Sequence, residues 1–342
     1  MKRNFRNLFA QVMLTSLVVG APAIGQASTN SLGVDSSLGV LSFGDLAMTN
    51  GDVQGRVAVG GNATLSSYSI NALTGSLYGN GLTVGGNLSF GGGSVFGNTV
   101  VGGSLSSNSG ASFAGTIQVA GNLNANNNWL TATSISYGGS ASGLQQWQNP
   151  TPASVSASSV QLGLNFVGEK QRLSSLSQSF DAMSNTGTAS DSWGTMVLNA
   201  NHSDLAVFDL TSADVGKNLR LENLGANTTV IINVAGQTVD FGLHGYQNFS
   251  AGQVLFNLPQ ATQITFASGV NASFLAPLAS FSGNGGVING QVIVNGWSGS
   301  TQVNDVSFAG NVTAVPEPET YALMLAGLGV VGCFSRRRRQ TA

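Results

Sequence analysis

Side chains able to do acid–base or nucleophilic chemistry are sparse in this chain. It carries two histidines, His202 and His244, and one cysteine, Cys333. Neither histidine lies near the cysteine or in a spaced histidine pair, so no metal-ligand pattern is formed. Asn201-His202-Ser203-Asp204 gathers triad-type groups, but neighbours in sequence cannot adopt the nucleophile, base and orienter geometry of acyl transfer. Asp204, Asp209 and Asp214 recur every five residues. They read as solvated turns near strand ends rather than as the clustered carboxylates of a polysaccharide-cleaving groove. The segment GDLAMTNGD sets Asp45 and Asp52 within eight positions, a spacing open to one calcium ion or to ordinary turn-forming aspartates. Gly-Gly corners elsewhere are followed by Asn62, Asn87 and Ser104, not by the regular Asp of calcium-binding β-rolls. Gly327-Leu328-Gly329-Val330-Val331-Gly332 matches a dinucleotide fingerprint, yet no βαβ unit can follow it. No catalytic residue, metal or cofactor is expected. What remains is a surface of amides and hydroxyls with Trp129, Trp147, Trp193 and Trp297 scattered through it. Such a surface can exchange hydrogen bonds with sugar hydroxyls while indoles cover sugar rings. The same tryptophans could instead seal the fold's ends or its helix contact.

The elements that would position this surface follow from composition and repeats. Charged residues form 8% of the chain, against about 25% in average domains. Glycine reaches 47 residues, while hydrophobic residues at 42% argue against disorder. VAVGGNATL (57–65), LTVGGNLSF (82–90), VVGGSLSS (100–107) and IQVAGNLNA (117–125) share a strand, a glycine corner, an Asn or Ser, and another strand. Their valines Val59, Val84, Val101 and Val119 are 25, 17 and 18 residues apart. That interval is roughly one turn of a parallel β-helix, with glycine at the corners and Asn able to bond along the axis. An antiparallel sandwich of hairpins is the alternative, since Gly-Asn and Asn-Gly also make hairpin turns. From 157 to about 184, Leu164, Val167, Leu173, Leu176, Phe180 and Met183 follow helical spacing, which predicts one amphipathic helix on the solenoid's flank. Strands are expected again at 195–200, 205–210, 228–236, 237–241, 253–258, 263–267 and 287–296. The expected fold is mainly β: one solenoid-like domain over 28–314 with a long flanking helix, an N-terminal signal helix and a C-terminal apolar helix.

Both ends predict export. Lys2, Arg3 and Arg6 precede an apolar run from Leu8 to Val19 and small residues to Ala27, the layout of a signal peptide over 1–27. At the other end, Pro316-Glu317-Pro318 is followed by an apolar segment, 321–334, and by Arg336, Arg337, Arg338 and Arg339. Fourteen apolar residues reach about 21 Å as a helix, short of the roughly 30 Å hydrocarbon core. The arginines would stop transfer on the cytoplasmic side. Without both ends, the body has five basic and twelve acidic residues, which offers no basic patch for nucleic acid. It also has no cysteine, so no disulfide can form there.

The tail, 315–342, closely resembles the PEP-CTERM sorting signal of Gram-negative bacteria. That resemblance implies recognition of Pro316, Glu317 and Pro318 by an exosortase-type membrane protease, transient inner-membrane insertion, and delivery to the outer surface or exopolysaccharide matrix. LGVLSFGDLAMTNGDVQGRVAVGGNATL (38–65), TTVIINVAGQTVDF (228–241) and FLAPLASFSGNGGVINGQVIVNG (274–296) resemble the choice-of-anchor A domain, over most of 38–309. That family joins one extracellular domain to different surface-attachment signals, and no ligand or catalytic residue carries over from it. The order of β region, helix and β region is also similar to ice-binding solenoids, an analogy of architecture alone.

The leading expectation is an exported, non-enzymatic structural or adhesive protein of the cell surface, exopolysaccharide or biofilm. A module recognising polysaccharide or ice through one solenoid face is the alternative. It requires a regular outward ladder of Thr or Asn, against which the uneven repeat spacing argues. A polysaccharide-active enzyme would need Asp204, Asp209 or Asp240 to face one another in a cleft.

Overall fold

Parallel strands wind into a three-faced solenoid in the computed structural model, which describes residues 30–73 and 79–312. Parallel ladders decide against the antiparallel sandwich. Val59 pairs with Val84, Val84 with Val101, and Val101 with Val119, so the aligned valines form one inward column. All four are fully buried. Uneven spacing leaves this register intact because the extra residues of the long turn lie between strands Ala63–Ile70 and Asn80–Val84.

Winding order differs from chain order. Strand Leu38–Ser42 is the first in sequence, yet it sits mid-solenoid, flanked by Arg56–Val59 and by Val292–Gly299. From there the N-terminal half winds outward to Ala153–Ser154 at one pole. The chain then returns along the flank as a helix, Phe166–Asp181, and restarts at the other pole with Thr195–Asn199 and Leu205–Thr211. The C-terminal half winds back until Val292 pairs with Val40. One solenoid results in which both halves advance in the same direction along the axis, and its joint lies where the first and last full turns meet.

The flanking helix is shorter than the predicted span. Residues 157–159 form only a 3-10 turn, Gly163 takes left-handed backbone with φ +73°, and the helix begins after Asn165. Asn165 Oδ1 caps it by accepting the Gly168 N–H at 3.1 Å. Its 16 residues reach about 24 Å, or about five strand spacings. Leu173 and Phe180 share one apolar cluster with outward residues of two neighbouring columns, Val207, Ile231 and Leu255 in one and Leu275 and Ile293 in the other. Strands under the helix are therefore buried on both sides, as in the continuous run from Thr229 to Val234. Val167 points away and is exposed.

Each pole is closed differently. At the C-terminal half's pole, Thr188–Ser192 covers Thr195–Asn199 as an antiparallel edge, Thr186 bonds Leu205 and Val207, and a short helix, Ser212–Val215, lies over the next turn. At the opposite pole, the Gln148 side chain completes the ladder by bonding both backbone groups of Leu130.

Candidate functional site

Side chains converge into a regular array on one face, here termed the ladder face. Each turn of the N-terminal half leaves its glycine corner with a polar residue, an apolar residue and a second outward residue, which is polar in every turn but the first, where it is Ala47. Period-two alternation sends the middle, apolar one inward and the other two outward. Leu46, Ala63, Leu88, Leu105 and Leu123 form the inward column, and all are buried.

The corner row is tied together by its own side chains. Asp45 Oδ1 accepts the Asn62 N–H (2.7 Å), Asn62 Oδ1 the Asn87 N–H (2.9 Å), and Asn87 Oδ1 the Ser104 N–H (2.8 Å). Ser104 Oγ then accepts the Asn122 N–H (3.0 Å), and Asn122 Oδ1 the Ser140 N–H (2.9 Å). Oxygens are thus consumed by the ladder, while Nδ2 of Asn87 and Asn122 makes no hydrogen bond among the described residues and faces water. The second corner position is glycine in every turn from Gly44 to Gly139, and a Cβ on Gly86 would meet Asn62 Oδ1 at 2.7 Å and the Gly61 carbonyl oxygen at 2.8 Å.

Two residues further along each turn lies the second row. Its register is unbroken from pole to pole: Asp240, Thr265, Ser282, Ser298, Ala47, Thr64, Ser89, Ser106, Asn124 and Ser142 are successive partners. Rungs repeat at about 4.8 Å and the two rows lie about 7 Å apart. The array therefore repeats in two dimensions. A shallow trough of about 350 Å³ runs between the rows of the N-terminal half, lined by Asn62, Thr64, Asn87, Ser89, Ser104, Ser106, Asn122 and Asn124. A second, of about 520 Å³, crosses the joint, where Ala47 and Gly296 are the smallest members and Trp297 and Phe281 form the floor.

Charge is nearly absent from this face. Asp45 and Asp240 are the charged members of the two rows. The Thr265 hydroxyl and then the Gly242 N–H hold the Asp240 carboxyl below the ordinary carboxylate range. No charged residue or histidine occurs anywhere between Arg56 and Glu169.

Carboxylates do not gather into a cleft. Asp209 lies on the helix face, accepting from Asn233 Nδ2 at 3.0 Å. Asp214 accepts from Thr211 at the short helix, and Asp240 ends the second row of the ladder face. Asp204 precedes the strand Leu205–Thr211, where its carbonyl accepts from Thr229. Asp45 sits at a corner, whereas Asp52 pairs with Ser69 at the far end of strand Leu46–Val53, so the two do not share a site. His202 and His244 occupy separate turns. Among the described residues no group of three or more His, Cys, Asp and Glu could hold a metal ion. Trp297 belongs to the core, its ring 4.9 Å from that of Phe281, while Trp129, Trp147 and Trp193 are exposed.

The predicted signal peptide (1–27), Pro316-Glu317-Pro318, the apolar segment 321–334 and Arg336 to Arg339 lie outside the described residues. Among the described residues no helix is long and apolar enough to cross a membrane. The second row went unrecognised in the sequence reading, although the polar–apolar–polar step after each quoted corner is its signal.

Comparison with known proteins supplies two matches. Residues 314–339 match the PEP-CTERM protein-sorting motif, which is recognised in exosortase processing and implies export to the cell surface. No curated protein and no solved structure matches the chain. Residues 31–305 match the family described as "Putative Ice-binding-like adhesive domain". With the whole solenoid inside that match, the chain belongs to this ice-binding-like adhesive domain family.

Proposed function

We propose that the chain is a non-enzymatic adhesive protein, sorted by its tail to the outer surface, whose ladder face holds an uncharged, hydroxyl-bearing polymer of the extracellular matrix. The unbroken outward row from Asp240 to Ser142 carries this reading. Small hydroxyls and amides at a fixed repeat can pair with hydroxyls that also repeat, and each extra rung adds contacts without ordering a flexible loop. Dispersed carboxylates favour retention over cleavage. The resemblance to the choice-of-anchor A domain fits the same surface role. In this reading an exosortase-type protease acts on Pro316, Glu317 and Pro318, the segment 321–334 inserts transiently in the inner membrane, and Arg336 to Arg339 stop its transfer.

Mixing the purified protein with the producing cell's insoluble exopolysaccharide, and assaying bound protein and released sugar together, tests the proposal. Saturable retention without sugar release is expected. Sugar release would replace adhesion with catalysis, and absence of retention would remove the polymer.

A second reading, adsorption to ice through the same face, is favoured by the family match and by the two-dimensional repeat. Shape control of growing ice crystals by the purified protein distinguishes it.

A further inference from the structure

Trp129 and Trp147 occupy equivalent positions in the last two turns of the N-terminal half's pole. Leu130 N–H donates to Gln148 Oε1 (3.1 Å) and Gln148 Nε2 donates to the Leu130 carbonyl (2.8 Å). Gln145 Nε2 likewise donates to the Asn127 carbonyl. These bridges link residues 18 apart, the interval that also separates Trp129 from Trp147. The two tryptophans therefore sit at corresponding places on successive turns of the pole.

Their anchors are buried and they are not. Leu130 is 0% and Gln148 8% exposed, whereas Trp129 and Trp147 are 44% and 77% exposed. Neither indole seals the pole, because Gln148 and Leu130 already do. Large aromatic surface left in water on a pinned turn marks a contact surface.

Chemistry around the pair selects its partner. Asn126, Asn127, Gln145 and Gln146 flank the indoles, and the surrounding stretch from Val57 to Gly168 has no charged residue. Amides can serve both as donor and acceptor to sugar hydroxyls. A uronate or phosphate would lose hydration here with no cation to offset the loss. We propose that Trp129 and Trp147 form a stacking platform for an uncharged polysaccharide, each indole covering the apolar face of one sugar ring. Asn126 Nδ2 donates to Ser106 Oγ of the ladder face at 2.9 Å, so the platform adjoins the end of that face, while its indoles lie outside both rows. The platform also faces away from the sorting tail: Phe308, Ala309 and Asn311 bond Gln291, Gly252 and Thr229, so the chain's last described residues run toward the other pole.

Calorimetric titration of the full-length chain in a zwitterionic detergent, with soluble neutral β-linked glucose and mannose oligomers as probes, tests the platform. Saturable binding to at least one probe is expected, changing less than about twofold between low and high salt. Trp129→Ala and Trp147→Ala should each weaken it about tenfold, the loss expected on truncating an aromatic anchor. Trp129→Phe and Trp147→Phe should restore most of it, and Trp193→Ala should change nothing. Because both side chains are exposed, the alanine variants should keep the parent circular dichroism and thermal midpoint. A Thr64→Lys/Ser89→Lys variant should bind the oligomers normally, which separates this platform from the ladder face. Unchanged binding in the Trp129→Ala/Trp147→Ala double variant would overturn the proposal. So would absence of binding to both probes, or preference for polygalacturonate that salt abolishes.

Discussion

Asn62 and Asn87 are 25 residues apart in the chain and one turn apart in the fold, where Oδ1 of the first accepts the backbone N–H of the second at 2.9 Å. Asn87 repeats the arrangement toward Ser104 at 2.8 Å. Asn87→Ala should therefore release the Ser104 amide, raising its hydrogen-exchange rate, and should cost about 1 kcal/mol of stability. Unchanged protection at Ser104 would mean that the corner ladder follows backbone stacking rather than helping to hold it.

Glycine at the stacked corner is a steric requirement. Gly86→Ala would set a Cβ 2.7 Å from Asn62 Oδ1 and 2.8 Å from the Gly61 carbonyl oxygen, whereas Gly216→Ala meets nothing nearer than 3.5 Å. Chemical denaturation should show a loss of about 1–3 kcal/mol or more for the first. The second should lie within about 0.5 kcal/mol of the parent.

The flanking helix is registered by a buried polar clamp. Ser177 Oγ donates to Asn257 Oδ1 (2.6 Å), and Asn257 Nδ2 donates to the Ser177 carbonyl (2.8 Å) and to Asn233 Oδ1 (2.9 Å). Asn257→Ala should cost about 1–3 kcal/mol for each buried group left unpaired. It should also raise proteolytic cleavage in the helix. A loss confined to a few tenths of a kcal/mol would assign the helix's position to Leu173 and Phe180 alone.

Burial pushes the Asp305 carboxyl above its usual range, with Asp35 adding to the rise and Arg56 opposing it. A raised folded-state pKa means that the folded protein holds this proton more tightly than the unfolded chain. Ionised Asp305 then costs stability at neutral pH, and the cost disappears as pH falls below the unfolded value. Asp305→Asn should raise the thermal midpoint at about pH 7 and leave it unchanged near about pH 3. A lower midpoint at neutral pH would show that attraction to the nearby Arg56 charge outweighs burial.

Legibility follows the range of the interaction. The valine column is legible because Val59, Val84, Val101 and Val119 repeat a local strand-and-corner phrase. The ladder face is harder to see, since Thr, Ser, Asn and Ala alternate within one row and the long turn after Ile70 disguises its period. Residue types that are equivalent in hydrogen bonding are not identical in sequence. The joint is invisible locally: Val40 and Val292 pair across almost the whole domain. Helix length is overread because apolar spacing continues through Leu164, while the left-handed Gly163 and the Asn165 cap delay the first turn. Trp297 shares composition with the exposed tryptophans, and only the inward phase of its strand places it in the core.

Sorting has its own test. Replacing Pro316, Glu317 and Pro318 with alanine should leave the protein unprocessed and in the inner-membrane fraction. Normal surface delivery would remove these residues from recognition.

The central claim rests on the ladder face, and strand Leu88–Val95 allows a matched comparison because Ser89 lies on that face and Ser94 on the adjacent one. Retention on the cell's own exopolysaccharide should be measured for Thr64→Lys/Ser89→Lys and for Ser94→Lys beside the parent. Two long cations placed in an uncharged array should lower retention about tenfold or more, while Ser94→Lys should match the parent. Equal retention by all three proteins would contradict the account and move binding off this face.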